Sequence, residues 1–292
     1  MKRLLVTGAS GFLGSRIIEY YRDRYEICAP SHTDMDITDK EKVAAVFRDF
    51  KPHMVVHSAA ISDVGVCERE PEQSGKINVD GSRNVAEASA KIRAKCLVCS
   101  SDQVYVGSQV RGPHKEEEDV VPRNVYGREK LLAEEECLRL NPECVILRLS
   151  WMYDTRTLKE GEHGDFFRTL AQRLQTAENL SYPENDVRGI TDVNEVVCNF
   201  ERCMEIKGGV YNFGSPNDRN TYETVSVMFR ELGWDEARLK KDEDSFRALP
   251  RDISMDQEKL KESGIIFPST VESLVRNMRD ILPIKEYEAQ GE

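Results

Sequence analysis

Hydrophobic residues in the first half of the chain gather in short runs at 3–7, 25–29, 53–57, 95–100 and 144–149. Met54-Val55-Val56-His57 and Cys96-Leu97-Val98-Cys99 are apolar or small at nearly every position. They lack the alternation of a strand with one face in water, and so read as strands covered on both sides. Between the runs lie helix-like stretches, Asp39 to Phe50 and Asn78 to Lys91. Thr38 or Asp39 is expected to cap the first of these helices, and Asn78 or Asp80 the second. Strands separated by helical crossovers run parallel, which predicts an α/β fold with a Rossmann-type doubly wound parallel sheet.

Past about residue 150 the rhythm loosens. Thr155 to Gly164 is polar and reads as a mobile loop, Asp165 to Gln175 and Thr221 to Leu232 as helices, and Gly208 to Gly214 as a short strand between turns. The predicted division is a nucleotide-binding region over 1–150, taking in part of 188–210, and a smaller α/β substrate-binding region over 151–292. There is no internal repeat, and Glu288 to Glu292 are expected to fray.

The formal net charge of −11 argues against nucleic acid and anionic membranes as partners. No apolar run approaches the ~18 residues of a membrane helix. The apolar stretch within Met1 to Gly8 is too short for a signal peptide, so a cytoplasmic protein is expected. The eight cysteines are scattered. Cys96 and Cys99 have CxxC spacing, but a strand points them to opposite faces, and the cysteines read as reduced core thiols. The histidines show no metal-binding spacing and no metal is assigned; His57 reads as a core residue. The run Lys115-Glu116-Glu117-Glu118-Asp119 reads as a solvated loop.

Chemistry enters at Thr7-Gly8-Ala9-Ser10-Gly11-Phe12-Leu13-Gly14, between the first strand and a helix. The spacing GxxGxxG serves the purpose of the dinucleotide fingerprint. Gly8 permits the turn, Gly11 lets amides approach a pyrophosphate, Gly14 lets helix and strand pack closely, and the helix start favours the anion. At the end of the second strand, Cys28-Ala29-Pro30-Ser31-His32-Thr33 carries no acid until Asp34. An NAD-selective site keeps an acid there for the ribose hydroxyls. Its absence leaves room for a 2′-phosphate near Ser31 and His32, a slight lean toward NADP(H) with NAD(H) still open.

Tyr126-Gly127-Arg128-Glu129-Lys130 places a phenol and an ammonium four residues apart, on one face of a helix. The lysine and an oxidised nicotinamide are expected to lower the phenol's pKa, letting Tyr126 give a proton to a carbonyl oxygen as hydride arrives. Such spacing is common by itself. Here it follows Cys99-Ser100-Ser101-Asp102 at the end of a central strand, the edge where open α/β sheets bind ligands, and Ser101 is a candidate donor to the substrate oxygen.

With these residues in view, the chain resembles the extended short-chain dehydrogenases, and within them the dTDP-4-dehydrorhamnose reductases. The resemblance runs through Thr7–Gly14, Asp34-Met35-Asp36-Ile37-Thr38-Asp39, Val55–Ala60, Asn78-Val79-Asp80-Gly81, Ser100–Asp102, Tyr126–Lys130 and Leu147-Arg148-Leu149-Ser150-Trp151-Met152-Tyr153. It implies that Asp36 and Ile37 line the adenine pocket and that Ser58, Ala59, Ala60 and Cys99 lie along the cofactor with Gly8, Ser10, Gly11, Phe12, Leu13 and Gly14. It implies a triad of Ser101, Tyr126 and Lys130. It also sets Trp151 against the sugar and Arg251 near the nucleotide or sugar; Asp102 and Arg188 are further candidates to face the substrate. The implied reaction reduces a 4-keto group on a nucleotide-linked deoxysugar, in a protein that a homodimer would suit.

The chain departs from that family where Ile61-Ser62-Asp63 replaces an aromatic after Ala60, where Asp186-Val187-Arg188-Gly189-Ile190-Thr191 lacks the usual Gln and Pro, and where Asp165 replaces Asn. These changes bear on the sugar. Arg188 suits a diphosphate or a surface ion pair equally. Two other functions stay open: an epimerase or dehydratase with tightly held NAD, and a non-catalytic NADP-binding subunit like the regulatory subunit of methionine adenosyltransferase, which resembles the same family. Ser101-Asp102-Gln103 carries one carboxylate where dehydratases commonly carry two, which argues against dehydration.

Overall fold

The computed structural model describes residues 1–156, 165–176 and 179–281. Most of the segment expected as a loop at Thr155–Gly164, and the terminal residues Glu288–Glu292, lie outside them.

Lys2–Thr7 forms β1, Phe12–Tyr21 α1, Tyr25–Cys28 β2, Lys40–Phe50 α2 and Met54–His57 β3. Val64–Arg69 (α3) and Pro71–Gly75 (α4) lead through a π-helical segment, Lys76–Gly81, into Ser82–Ile92 (α5). Next come β4 (Lys95–Ser101), α6 (Val125–Leu140), β5 (Val145–Leu149), β6 (Trp151–Tyr153) and α7 (Phe166–Thr176). The remainder comprises β7 (Leu180–Pro183), β8 (Asp186–Val187), β9 (Ile190–Asp192), α8 (Val193–Asn199), β10 (Gly209–Phe213), α9 (Thr221–Leu232), β11 (Leu239–Asp242), β12 (Arg251–Asp252), α10 (Glu258–Glu262) and α11 (Thr270–Ile281).

The main sheet has the order β10-β5-β4-β3-β1-β2, and every pairing is parallel. The predicted doubly wound architecture is present, with helices on both faces. In β1, Leu4 and Val6 enter the core cluster that holds Ile17 of α1 and Val197 of α8, while Leu5 enters the cluster with Val43 of α2 and Val85 of α5. Burying a side chain of this size contributes roughly 1.5–3 kcal/mol. Cys99 and Cys96 divide between the same two clusters, so the strand does separate the CxxC thiols. All eight cysteines are free. Cys28 is half-buried and Cys198 exposed, so these two are not the core thiols they were expected to be.

The sixth strand comes from far along the chain: β10 joins the edge beside β5. The smaller core, with Tyr153, Phe167, Leu170, Val225, Phe229 and Leu274, gathers α7, α9 and α11 around the paired strands β7 and β11.

Local signals explain most helix starts. Asp39 caps α2, accepting from the amides of Glu41 and Lys42. Asn220 and Glu223 form a reciprocal capping box on α9, and Gly233 ends it at φ 70°. The expected cap at Asn78 or Asp80 is a correction. The chain is already helical there, and the buried Asn78 side chain turns inward, accepting from the Ile61 amide at 2.8 Å and donating to Glu129 at 2.7 Å.

The acidic run after Lys115 is a second correction. Glu116 is buried and accepts the Asn212 amide at 2.7 Å. Beside it Arg148 pairs with Glu134 at 2.7 Å and donates to the Tyr105 hydroxyl at 2.8 Å, while Ser100 donates to Glu134. Buried polar groups are kept only when they find such partners. This network ties β5 and β10 to the strand end that carries Ser101. His57 is buried as expected, hydrogen-bonded to the Thr7 hydroxyl at 2.7 Å and the Ser82 hydroxyl at 2.9 Å. Burial pushes its pKa down to about 3.

Candidate active site

The chain leaves β1 for β2 on one side and β3 on the other, so strand order reverses at β1. Ligands of open α/β folds bind at the carboxyl ends of the strands at such a point. Gly8 turns there with φ 70°, and a Cβ on it would lie 2.7 Å from the Ala59 amide nitrogen. The Gly11 amide donates to the Gly8 carbonyl at 3.0 Å. A Cβ on Gly14 would collide with that carbonyl, so the first turn of α1 sits as close to β1 as backbone allows. Gly11 is the N-cap of α1 and no side chain caps it. The first-turn amides are therefore unclaimed by any side chain, and the cradle suits a pyrophosphate. Ser58 donates to the Thr7 carbonyl at 2.7 Å and fixes the next loop beside the turn.

Two cavities open from this turn. The larger, about 660 Å³, is lined by Gly8, Ser10, Gly11, Phe12, Leu13, Gly14, Ser58, Ala60, Cys99, Ser101, Asp102, Tyr126, Lys130, Trp151 and Arg188 among the expected residues. The smaller, about 330 Å³, is lined by Ser31, His32, Asp36, Ile37 and Ala59, and shares Gly8 and Ser10 with the larger. Arg251 lines neither: it pairs with Asp186 at 2.7 Å and its guanidinium lies over the Phe246 ring. Ser62, Val64, Gln103, Met152 and Asp165 also line the larger cavity. Ser62, Val64 and Gln103 carry no periodic signal in the sequence; they arrive by loop and strand-end geometry.

Asn124 caps α6, accepting from the Gly127 amide at 2.6 Å, which places Tyr126 and Lys130 in its first turns. Both are buried and both line the larger cavity. The Lys130 ammonium donates to the Cys99 carbonyl at 2.9 Å and lies 5.7 Å from the centre of the Tyr126 ring. Burial pushes the Lys130 ammonium below the ordinary lysine range, opposed by Cys99, Cys137 and Glu134. Burial pushes the Tyr126 phenol well above its usual range; a hydrogen bond with Ser101 pulls it down and the Asp102 charge pushes it up. Desolvation sets the direction of the shift in the folded chain, and the phenol stays protonated at neutral pH.

Ser101 is less free than expected. Its hydroxyl donates toward Asp102 at 3.3 Å and accepts from the Gln103 amide at 3.2 Å. Asp102 is buried, and burial outweighs Arg188 and Arg251 in holding its carboxyl above the usual range. Arg188 donates to Asp102 at 3.0 Å and lies 4.8 Å over Trp151, so it belongs to the cavity wall. Trp151 is 37% exposed and braced edge-on by Phe166.

The chain matches the family described as RmlD substrate binding domain over residues 1–282. It is 28% identical to a dTDP-4-dehydrorhamnose reductase of Aggregatibacter actinomycetemcomitans, across 96% of this chain and 99% of that one. It is also 28% identical to the methionine adenosyltransferase 2 subunit beta of Xenopus laevis, across 90% of this chain and 83% of that one. Among solved structures, the dTDP-4-dehydrorhamnose reductase of Bacillus anthracis in complex with NADP superposes with a TM-score of 0.83 at 26% identity, covering 96% of this chain and 99% of that one.

Proposed function

The chain belongs to the RmlD substrate-binding domain family, and from that membership we propose that it is an NAD(P)H-dependent oxidoreductase reducing the 4-keto group of a nucleotide-linked deoxysugar. One observation carries the reading. Tyr126, Lys130 and Ser101 line the same cavity as the glycine turn Gly8–Gly14, so an acid for a carbonyl oxygen and a dinucleotide cradle share one space. The relatives named for this reaction, and the neighbour that holds NADP, support the substrate class and a lean toward NADP(H).

The reduced nicotinamide supplies hydride when bound. Tyr126, held protonated by burial, gives its proton to the carbonyl oxygen as the carbon is reduced. Lys130, anchored on the Cys99 carbonyl, keeps a positive charge near the phenolate left behind. Ser101, fixed between Asp102 and the Gln103 amide, positions the Tyr126 hydroxyl. Gly8, Ser10, Gly11, Phe12, Leu13 and Gly14 with Ser58, Ala59, Ala60 and Cys99 would hold the dinucleotide, its adenosine end toward Ser31, His32, Asp36 and Ile37. Arg188 and Trp151, with Asp102, would hold the sugar nucleotide, and Arg251 would act on it from behind this wall through Asp186. In this reading residues 1–150 mainly bind the cofactor and 151–292 mainly the substrate, in a cytoplasmic protein that forms a homodimer. Among the described residues no helix is long and apolar enough to cross a membrane.

The test is turnover. The purified chain with NADPH and a 4-keto nucleotide sugar should lose the absorbance of the reduced cofactor. Tyr126→Phe should slow this about a hundredfold or more while still binding NADPH. Tight NADPH binding with no turnover on a panel of 4-keto sugars would instead match the behaviour of a regulatory subunit.

A further inference from the structure

Arg16 lies one turn into α1, the helix whose start forms the phosphate cradle, yet it lines neither cavity. Its side chain is buried and engaged within the protein. Nη1 donates to the Phe12 carbonyl at 3.1 Å and to the Ser15 hydroxyl at 3.0 Å, and the guanidinium lies 4.4 Å over the Phe12 ring. Nε crosses to the other half of the chain and donates to the Asp154 carboxylate at 2.7 Å.

Asp154 directly follows β6 and is completely buried. It also accepts from the amide and Nε of Arg156, at 3.0 and 3.1 Å, and Arg156 in turn pairs with Glu19 of α1. Burial by itself would raise the pKa of Asp154; the hydrogen bonds from Arg156 and Arg16 hold it below the usual carboxylate range. The backbone of this anchored residue fixes the next element. The Asp154 amide donates to one oxygen of Asp165 at 3.0 Å, and the other oxygen accepts the Arg168 amide at 2.9 Å in the first turn of α7. Asp165 lines the larger cavity, and Phe166 beside it meets the Trp151 ring edge-on at 5.6 Å. Trp151 itself opens β6, three residues before Asp154. Both supports of Trp151, its own strand and the ring that braces it, therefore end at the carboxylate that Arg16 holds.

We propose that Arg16 is a positioning residue for the substrate. From the cofactor-binding half it holds Asp154, and so sets Asp165, Phe166 and Trp151 in the wall that receives the sugar; it does not serve the dinucleotide phosphates. The inference rests on the reductase reading of the larger cavity.

Steady-state kinetics with NADPH and the 4-keto nucleotide sugar, alongside calorimetric titration of the whole chain with NADPH, test this. Arg16→Met keeps an apolar stem against Phe12 and removes the charge. KM for the sugar should rise about tenfold, kcat should change less than about threefold, and Kd for NADPH should stay within about twofold. Arg16→Lys, which keeps the charge, should recover part of the KM. Because Arg16→Met leaves a buried carboxylate short of a partner, it is also combined with Asp154→Asn. The double variant should regain denaturation midpoint without regaining KM, since the wall is still unfastened. Arg24→Met breaks the exposed pair with Glu201 beyond the far end of α1 and should leave KM unchanged. An unchanged KM in Arg16→Met, a rise in Kd for NADPH equal to the rise in KM, or a KM that recovers together with the midpoint overturns the proposal and leaves the reductase site standing. A parent chain that binds NADPH and turns over no 4-keto sugar overturns the reading of the site and this inference together.

Discussion

Arg188 and Asp102, 86 residues apart in sequence, meet at 3.0 Å in the wall of the larger cavity, and both are almost fully buried. The pair joins the strand end that carries Ser101 to β8, so the two halves of the site are fastened at the substrate wall.

Removing one partner should therefore cost more than removing both. Arg188→Leu leaves Asp102 buried without its cation and should destabilise the chain by about 3 kcal/mol, the usual scale for breaking a buried pair. Adding Asp102→Asn should return a good part of that loss. Urea denaturation of the parent, both single variants and the double variant closes the cycle. Additive losses would show that the pair carries no coupling.

Reduction should be flat through neutral pH and fall on the alkaline side. Tyr126 is held protonated by burial, so it does not set that limb. Lys130 is pushed below the ordinary lysine range, so its ammonium is the charge lost first as pH rises. A profile of kcat/KM for the 4-keto sugar should place the limb below the value of a free lysine. Lys130→Arg, whose charge persists, should move the limb upward even where its rate is lower.

His57 should make the fold sensitive to mild acid. Its pKa is 6.5 in an exposed setting and about 3 in the folded chain, because burial excludes the charged form. Below 6.5 the unfolded chain binds a proton that the folded chain refuses. The contribution is whole above that value and drains away as pH falls toward 3, at no more than about 1.4 kcal/mol per pH unit. Denaturation midpoints of His57→Asn should fall less steeply over this window than those of the parent; parallel slopes would show that His57 does not titrate in unfolding.

Gly14→Ala adds a Cβ where the Gly8 carbonyl already stands. The first turn of α1 must then move off β1, at a cost of about 1–3 kcal/mol. Thermal melts should show the lower stability, and calorimetry should show weaker NADPH binding, because the displaced turn carries the phosphate-binding amides. Gly233→Ala would strain a left-handed cap far from the cavity and should leave the NADPH affinity unchanged.

The sheet strands were legible because each is a short apolar run buried on both faces, a property the local sequence states without reference to neighbours. Tyr126 and Lys130 were legible because helical geometry fixes residues four apart on one face. Glu116 was not: inside a run of acids, nothing local distinguishes the one whose carboxylate turns inward to the Asn212 amide. Asn78 likewise has the composition of a helix cap, and only the preceding helical turns show that it lies mid-helix, bonded to Ile61 and Glu129. Arg251 resembles a substrate contact, yet only the fold shows that it pairs with Asp186 and lines neither cavity.

The sequence by itself determined the parallel sheet, the glycine turn at its first strand, and the phenol and ammonium on one helix, since these depend on spacings of a few residues and on backbone geometry. The tertiary structure alone decided the pairings across long separations: Arg188 with Asp102, β10 with β5, and the buried Glu116 carboxylate with the Asn212 amide. The physical reason is burial. Desolvation makes each buried charge seek whichever partner the completed fold brings within about 3 Å, and no local spacing specifies which one that is.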